Sequence, residues 1–125
     1  MAIEIQGFKI PATAGMTLTS AQYRCVQFNA NMQVVTGTSA CIPCGILQND
    51  PYNGGGAEIM VSGLTKVVQA ASLAATTIIK CNDLVSSVAA ISSGTYGIGQ
   101  MALNSGASGA IGSALISCYC PAYRT

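Results

Sequence analysis

The chain has 125 residues, half of them hydrophobic, with only 7 % charged, 6 % aromatic, no Trp, no His and a formal net charge of +1. Average soluble domains carry roughly 25 % charged residues, and low charge with many aliphatics is the opposite of the disordered signature. Five Lys and Arg scattered at 9, 24, 66, 80 and 124 form no patch in the sequence that could track phosphates, so no nucleic-acid partner is expected.

The N-terminal stretch "MAIEIQGFKI" alternates at Ile3 and Ile5, then changes phase across Gly7 to Phe8 and Ile10. This predicts an extended arm over residues 1–10 with a kink or bulge at Gly7, stopped by Pro11. It has no basic segment leading into an apolar one, so no secretory signal is expected. Tyr23 to Asn29 and Met32 to Thr36 flank Ala30-Asn31 and predict a hairpin with a tight turn. Ile42 to Leu47 and Glu58 to Val61 form a second hairpin around the loop Asn49 to Gly56. Ser62-Gly63 then predicts a turn into Leu64 to Val68. Gln69 to Thr77 permits at most one or two turns of helix, while Thr76 to Ile79 favours extended chain.

Leu84 to Leu103 is uncharged and long enough to cross a membrane, but Ser, Gly, Thr and Gln interrupt it and no Lys or Arg flanks it closely. No membrane span is expected. Gly99 to Ser117 repeats the grammar of Cys44 to Gly63: a Gly, an apolar run, a loop of Asn, Ser and Gly, and a second apolar run. The offset runs from 54 (Gly45 to Gly99) to 56 (Val61 to Ser117), which asks for a two-residue gap. The tail "ALISCYCPAYRT" predicts a strand ended by Pro121. Short strands with turn signals between them, and no long amphipathic helix, predict an all-β fold. The expected architecture is a small single-domain β-barrel of antiparallel hairpins over residues 11–120, with a tail at 121–125.

Without His, the commonest general base and metal ligand is missing. Of the four acids, Asp50 precedes Pro51 and suits a turn, Asp83 suits a cap or strand start, and none forms a close pair in sequence. No catalytic site is expected. The cysteines at 25, 41, 44, 81, 118 and 120 leave several readings open. "CIPC" at 41–44 has redox or metal spacing, and "CYC" at 118–120 places two thiols on one face of a strand. A four-thiolate zinc site, a redox pair, buried free thiols and structural disulfides all remain. No charged residue lies between Asp83 and Arg124. Near-zero charge favours association and homo-oligomer interfaces are charge-poor, so a surface covered by copies of the chain or by another protein is expected.

The stretch "IPCGILQNDPYNGGGAEIMVSGLTKVVQAA" (Ile42 to Ala71) resembles the capsid cement, or decoration, proteins of tailed bacteriophages. These carry a "G-v-l-q-n-d … G … a-x-v-x-v-x-G-x-x-k-v" run, then an apolar segment entering "G-D-L-V". Here that segment is "IIKCNDLV", with Asn82 in place of the Gly. The family's closing hairpin has its counterpart in "YGIGQMALNSGASGAIGSALIS". The resemblance spans about residues 10–117, and the cysteine-rich tail has no counterpart in it. It implies a small β-barrel or β-tulip with no active site and no cofactor. It also implies an oligomer, commonly a trimer, assembled in the host cytoplasm and bound to the outside of the icosahedral head. There it would bridge neighbouring major capsid proteins and stabilise the shell. Ile3, Ile5, Phe8 and Ile10 are the candidate contacts to the capsid or to a neighbouring subunit, the alternative being that this segment is an ordinary first strand of the barrel. The alternatives in other classes are a cysteine-rich zinc or redox module, a pilus or adhesin subunit, and a pore protein.

Overall fold

The computed structural model describes residues 5–39, 41–82, 87–103, 106–117 and 122–124. Every regular element among them is a strand: β1 (Ile5–Thr13), β2 (Cys25–Phe28), β3 (Val34–Thr36), β4 (Gly45–Leu47), β5 (Gly56–Val68), β6 (Ile78–Cys81), β7 (Val88–Ala90), β8 (Thr95–Leu103), β9 (Ile111–Ser117) and β10 (Ala122–Arg124). They join in one curled antiparallel sheet of order β3-β2-β4-β5-β9-β8-β6-β7, with β1 also on β5 and β10 also on β8. The fold is all-β, as the strand pattern predicts. No described helix is long and apolar enough to cross a membrane.

The sheet order contains one motif twice. Strands β2 to β5 lie in the order 3-2-4-5, and β6 to β9 lie as 7-6-8-9. The first half of β5 closes the first unit by pairing β1 and β4, and its second half opens the next unit by pairing β9. A parallel bridge curls each unit, Ala14 to Val34 in the first and Gln69 to Val88 in the second. The equivalence extends to single hydrogen bonds. Ala14 N donates to Gly55 O at 2.9 Å and Gly54 N to Ala14 O at 2.9 Å; Gln69 N donates to Ala110 O at 2.9 Å and Gly109 N to Gln69 O at 2.8 Å. Gly54 and Gly109 share φ near 82° and 83°, and Tyr23 and Thr76 share the left-handed region at 63° and 69°.

The doubled hairpin is therefore the most visible part of a doubled five-strand unit. At Gly45 and Gly99 the same close approach recurs: a Cβ at either would strike a carbonyl oxygen, of Met60 or of Leu115. Ile46 pairs with Met60 and Gln100 with Leu115. Val61 thus corresponds to Ile116 rather than Ser117, and the gap is one residue instead of two.

Each unit buries its own interior. Ala14, Leu18, Val26, Val34, Leu47 and Ile59 form the first core, and Val67, Leu73, Ile79, Val88, Met101 and Ala114 belong to the second. The Val, Ile and Leu that favour strands are thus the ones that fill them. Leu18 and Leu73 hold equivalent places in the irregular segment after the first strand of each unit, and both are buried. This is why residues 69–77 form no helix. Gln69 is already committed to a bridge, and the segment lies as an irregular cover with Leu73 pointing into the core. At the junction of the units the buried Gln48 amide donates to Thr65 Oγ1 at 3.0 Å and to Ile46 O at 3.0 Å.

Local signals gave way to pairing in two places. Ser62-Gly63 does not turn the chain, because β1 on one edge and β9 on the other hold Ser62 in a continuous thirteen-residue β5. Pro11 does not end β1, which runs on to Thr13 with Pro11 opposite Glu58; a proline is tolerated on an edge strand. Between β2 and β3 the Asn29–Gln33 bond encloses three residues, Ala30 to Met32. Asn29 N bonds Gln33 O, Met32 is left-handed, and the Asn29 side chain accepts from Asn31 N and Gln33 N. Such three-residue loops end in a left-handed residue. Beyond Pro121, in the expected tail, Ala122–Arg124 form β10 along β8. The phase change at Gly7 is a bulge: the β1–β5 register shifts between Ile5 and Phe8. A Cβ on Gly63 would lie 2.8 Å from the Gly7 Cα, so the two backbones meet where β5 passes between units.

Candidate functional site

The arm residues fall on β1, apart from Ile3, which lies outside the described residues. Ile5 pairs with Leu64. Phe8 is half exposed, at 50 %. Ile10 is partly buried against both cores and is mainly a packing residue. β1, which among the described strands pairs only with β5, carries a bulge, a Pro, and Lys9 in a 3.2 Å ion pair with Glu58. These features guard an edge against unwanted strand addition.

The pairing register shows a second surface, which no sequence pattern marks. On the outer face of the first unit Lys9, Met60, Ile46 and Cys25 stand in one row across β1, β5, β4 and β2. The equivalent row in the second unit is Leu64, Leu115, Gln100 and Ile78 across β5, β9, β8 and β6. Cys25, Ile46 and Met60 are fully buried, in the core that also contains Ile79, Cys81 and Val88 of the second unit. Ile78 and Leu115 are 53 % and 49 % exposed. Beside them a groove of about 540 Å³ is lined by Leu64, Ala75, Thr76, Met101, Ala102 and Leu115.

The described thiols form no disulfide and are packed rather than displayed. Cys25, Cys41 and Cys81 belong to the larger core, whereas Cys44 packs on the smaller one and donates to Val26 O at 3.4 Å. "CIPC" is thus split between two cores, and it starts no helix. Among the described residues no three Cys, Asp or Glu side chains are grouped to hold a metal ion. Cys118 and Cys120 lie outside the described residues. A hydrogen bond with Cys81, then burial, pushes the Cys41 thiol up, and a hydrogen bond with Cys25 does so for Cys81. Burial pushes Cys44 up to about 12.

Raised thiol pKa values make the native state hold protons that the unfolded chain releases above about pH 8.5. Their contribution is complete below that pH and is lost as pH rises toward the native values. Denaturant unfolding under reducing conditions should therefore show equal midpoints at pH 6 and 7.5 and a marked fall by pH 10. A midpoint unchanged at pH 10 would mean that these thiols are solvated in the native state.

No protein-family model and no curated protein matches the chain. Six chains among solved structures do. One is the N base of the head fiber protein gp8.5 of bacteriophage phi29, with a TM-score of 0.65 and 10 % identity, over 89 % of this chain and 94 % of that one. Over that 89 % the chain has a fold similar to that of the head fiber base, at an identity that establishes the fold alone.

Proposed function

We propose that the chain is a structural protein of a phage head, which binds the outer surface of the icosahedral shell as an oligomer and reinforces it. The observation that carries this reading is the fold likeness to the phi29 head fiber base across nearly the full length of both chains. It agrees with the family resemblance of residues 10–117, reached independently from the order of motifs. The composition suits the role: a surface with few charges and several exposed large hydrophobics, Phe8, Ile78 and Leu115 among them, loses little by being covered.

The partners are the major capsid protein and further copies of the chain, and the site is the virion exterior. No chemistry is required. An oligomer touching several shell subunits multiplies weak contacts, and whatever binds only the assembled state stabilises it by linkage. The segment ahead of Gly7, with Ile3 and Ile5, adds to an exposed strand edge of the shell, and Phe8 fills a pocket beside it.

The test is co-sedimentation of the purified protein with shells that lack it, from the phage that encodes it, followed by thermal disruption of the loaded shells. Saturable binding and a higher disruption temperature are expected. Deleting residues 2–6 should abolish binding while leaving a folded oligomer. Undiminished decoration by that truncation would rule out the arm, and absence of binding by the intact protein would rule out the function.

A further inference from the structure

We propose that copies of the chain associate head to tail, with the exposed second row of one copy covering the partly open interior of the first unit of the next. This deepens the reading above, from which it takes only the expectation of an oligomer.

The argument rests on the internal duplication. Inside one chain the first row (Cys25, Ile46, Met60) is sealed within the core of the second unit, where Cys25 and Cys81 are in hydrogen-bond contact. The chain thus already contains one solved example of a row meeting a unit's interior. Two halves of that contact are left over. One is the second row, where Ile78 and Leu115 stand where Cys25 and Met60 stand in the first unit, but half exposed. The other is the rim of the first interior. Phe28 occupies the register position of Cys81, since Phe28 pairs with Val34 as Cys81 pairs with Val88. Phe28, Cys44 and Ala12 pack against the first core while remaining only partly buried.

One copy therefore offers an uncharged row, apolar except at Gln100, at one end and a partly open apolar rim at the other. Repeating the internal contact between copies brings Phe28 of one copy against Ile78 of the next. Such a contact is heterologous, and it closes into a ring if its rotation divides a full turn. The row itself, Leu64, Leu115, Gln100 and Ile78, carries no charged side chain, and Lys66 and Lys80 stand two residues along β5 and β6 from Leu64 and Ile78. The adjoining groove of about 540 Å³, with Leu64 and Met101 in its lining, has room for a large side chain.

The experiment is sedimentation equilibrium of the full chain over a range of concentrations. Ile78→Asp and Leu115→Asp should each weaken self-association at least tenfold while keeping the wild-type far-UV spectrum. Tyr52→Asp, at an exposed loop site away from the row, should not. The orientation is read by mixing Phe28→Ser, which has an intact row, with Ile78→Asp, which has an intact rim. The mixture should form a dimer that neither variant forms alone. A monomeric wild type, or wild-type association by Ile78→Asp and Leu115→Asp, would overturn the proposal. So would a Phe28→Ser and Ile78→Asp mixture that stays monomeric, self-association of Phe28→Ser alone at wild-type strength, which would indicate row-to-row pairing, or row variants that lose shell binding with self-association intact. Shell binding is measured separately, so a wild-type oligomer that fails to bind shells would contradict the function and leave this proposal standing.

Discussion

Gly45→Ala and Gly99→Ala should each destabilise the protein by about 3 kcal/mol, lowering the thermal midpoint by about 10 °C. A Cβ at either position meets a backbone carbonyl, of Met60 or of Leu115, which cannot swing aside as a flexible side chain could. Because the two glycines hold equivalent places in the two units, the losses should be similar. Gly56→Ala is the control, with no atom within 4 Å of the added carbon; it should change stability by less than about 0.5 kcal/mol. Urea unfolding of the three variants checks this. A tolerated Gly99→Ala beside a damaging Gly45→Ala would mean that the duplication does not extend to the strand contacts.

Ile46→Glu should leave little folded protein, whereas Gln100→Glu should be nearly neutral. The positions are equivalent: Ile46 pairs with Met60 and Gln100 with Leu115. Ile46 is fully buried and Gln100 is exposed. A carboxylate at Ile46 would lie among Cys25, Met60 and Ile79 with no cation in that core, at a cost of about 4 kcal/mol or more. At Gln100 it would remain in water. Circular dichroism and denaturant midpoints separate the cases. Equal stability of the two variants would contradict the difference in burial between the two rows.

These paired positions also show what the sequence could reveal. The strand alternation, the bulge at Gly7 and the loop Asn49 to Gly56 are written locally, in Gly, Pro, Asn and β-branched residues. The repeat shows at Gly45 and Gly99, because only glycine fits that approach. At several interior positions burial is kept while the residue changes. Ala14 answers to Gln69, Val26 to Ile79 and Leu47 to Met101, so comparison of letters passes over them. The turn expected at Ser62-Gly63 was a sound local reading overruled by strands pairing both edges of β5. Cysteine spacing at 41–44 is legible, but that the pair straddles two cores follows from the fold. The row from Leu64 to Ile78 draws on four strands, and only the pairing register assembles it.

The most direct measurement is a cryo-electron-microscopy reconstruction of phage heads carrying the protein. The account predicts the chain on the outer surface of the shell, with its N-terminal segment against the major capsid protein and Ile78 of each copy facing Phe28 of its neighbour. Heads with no such density outside the shell, or with the chain inside it, would contradict the account.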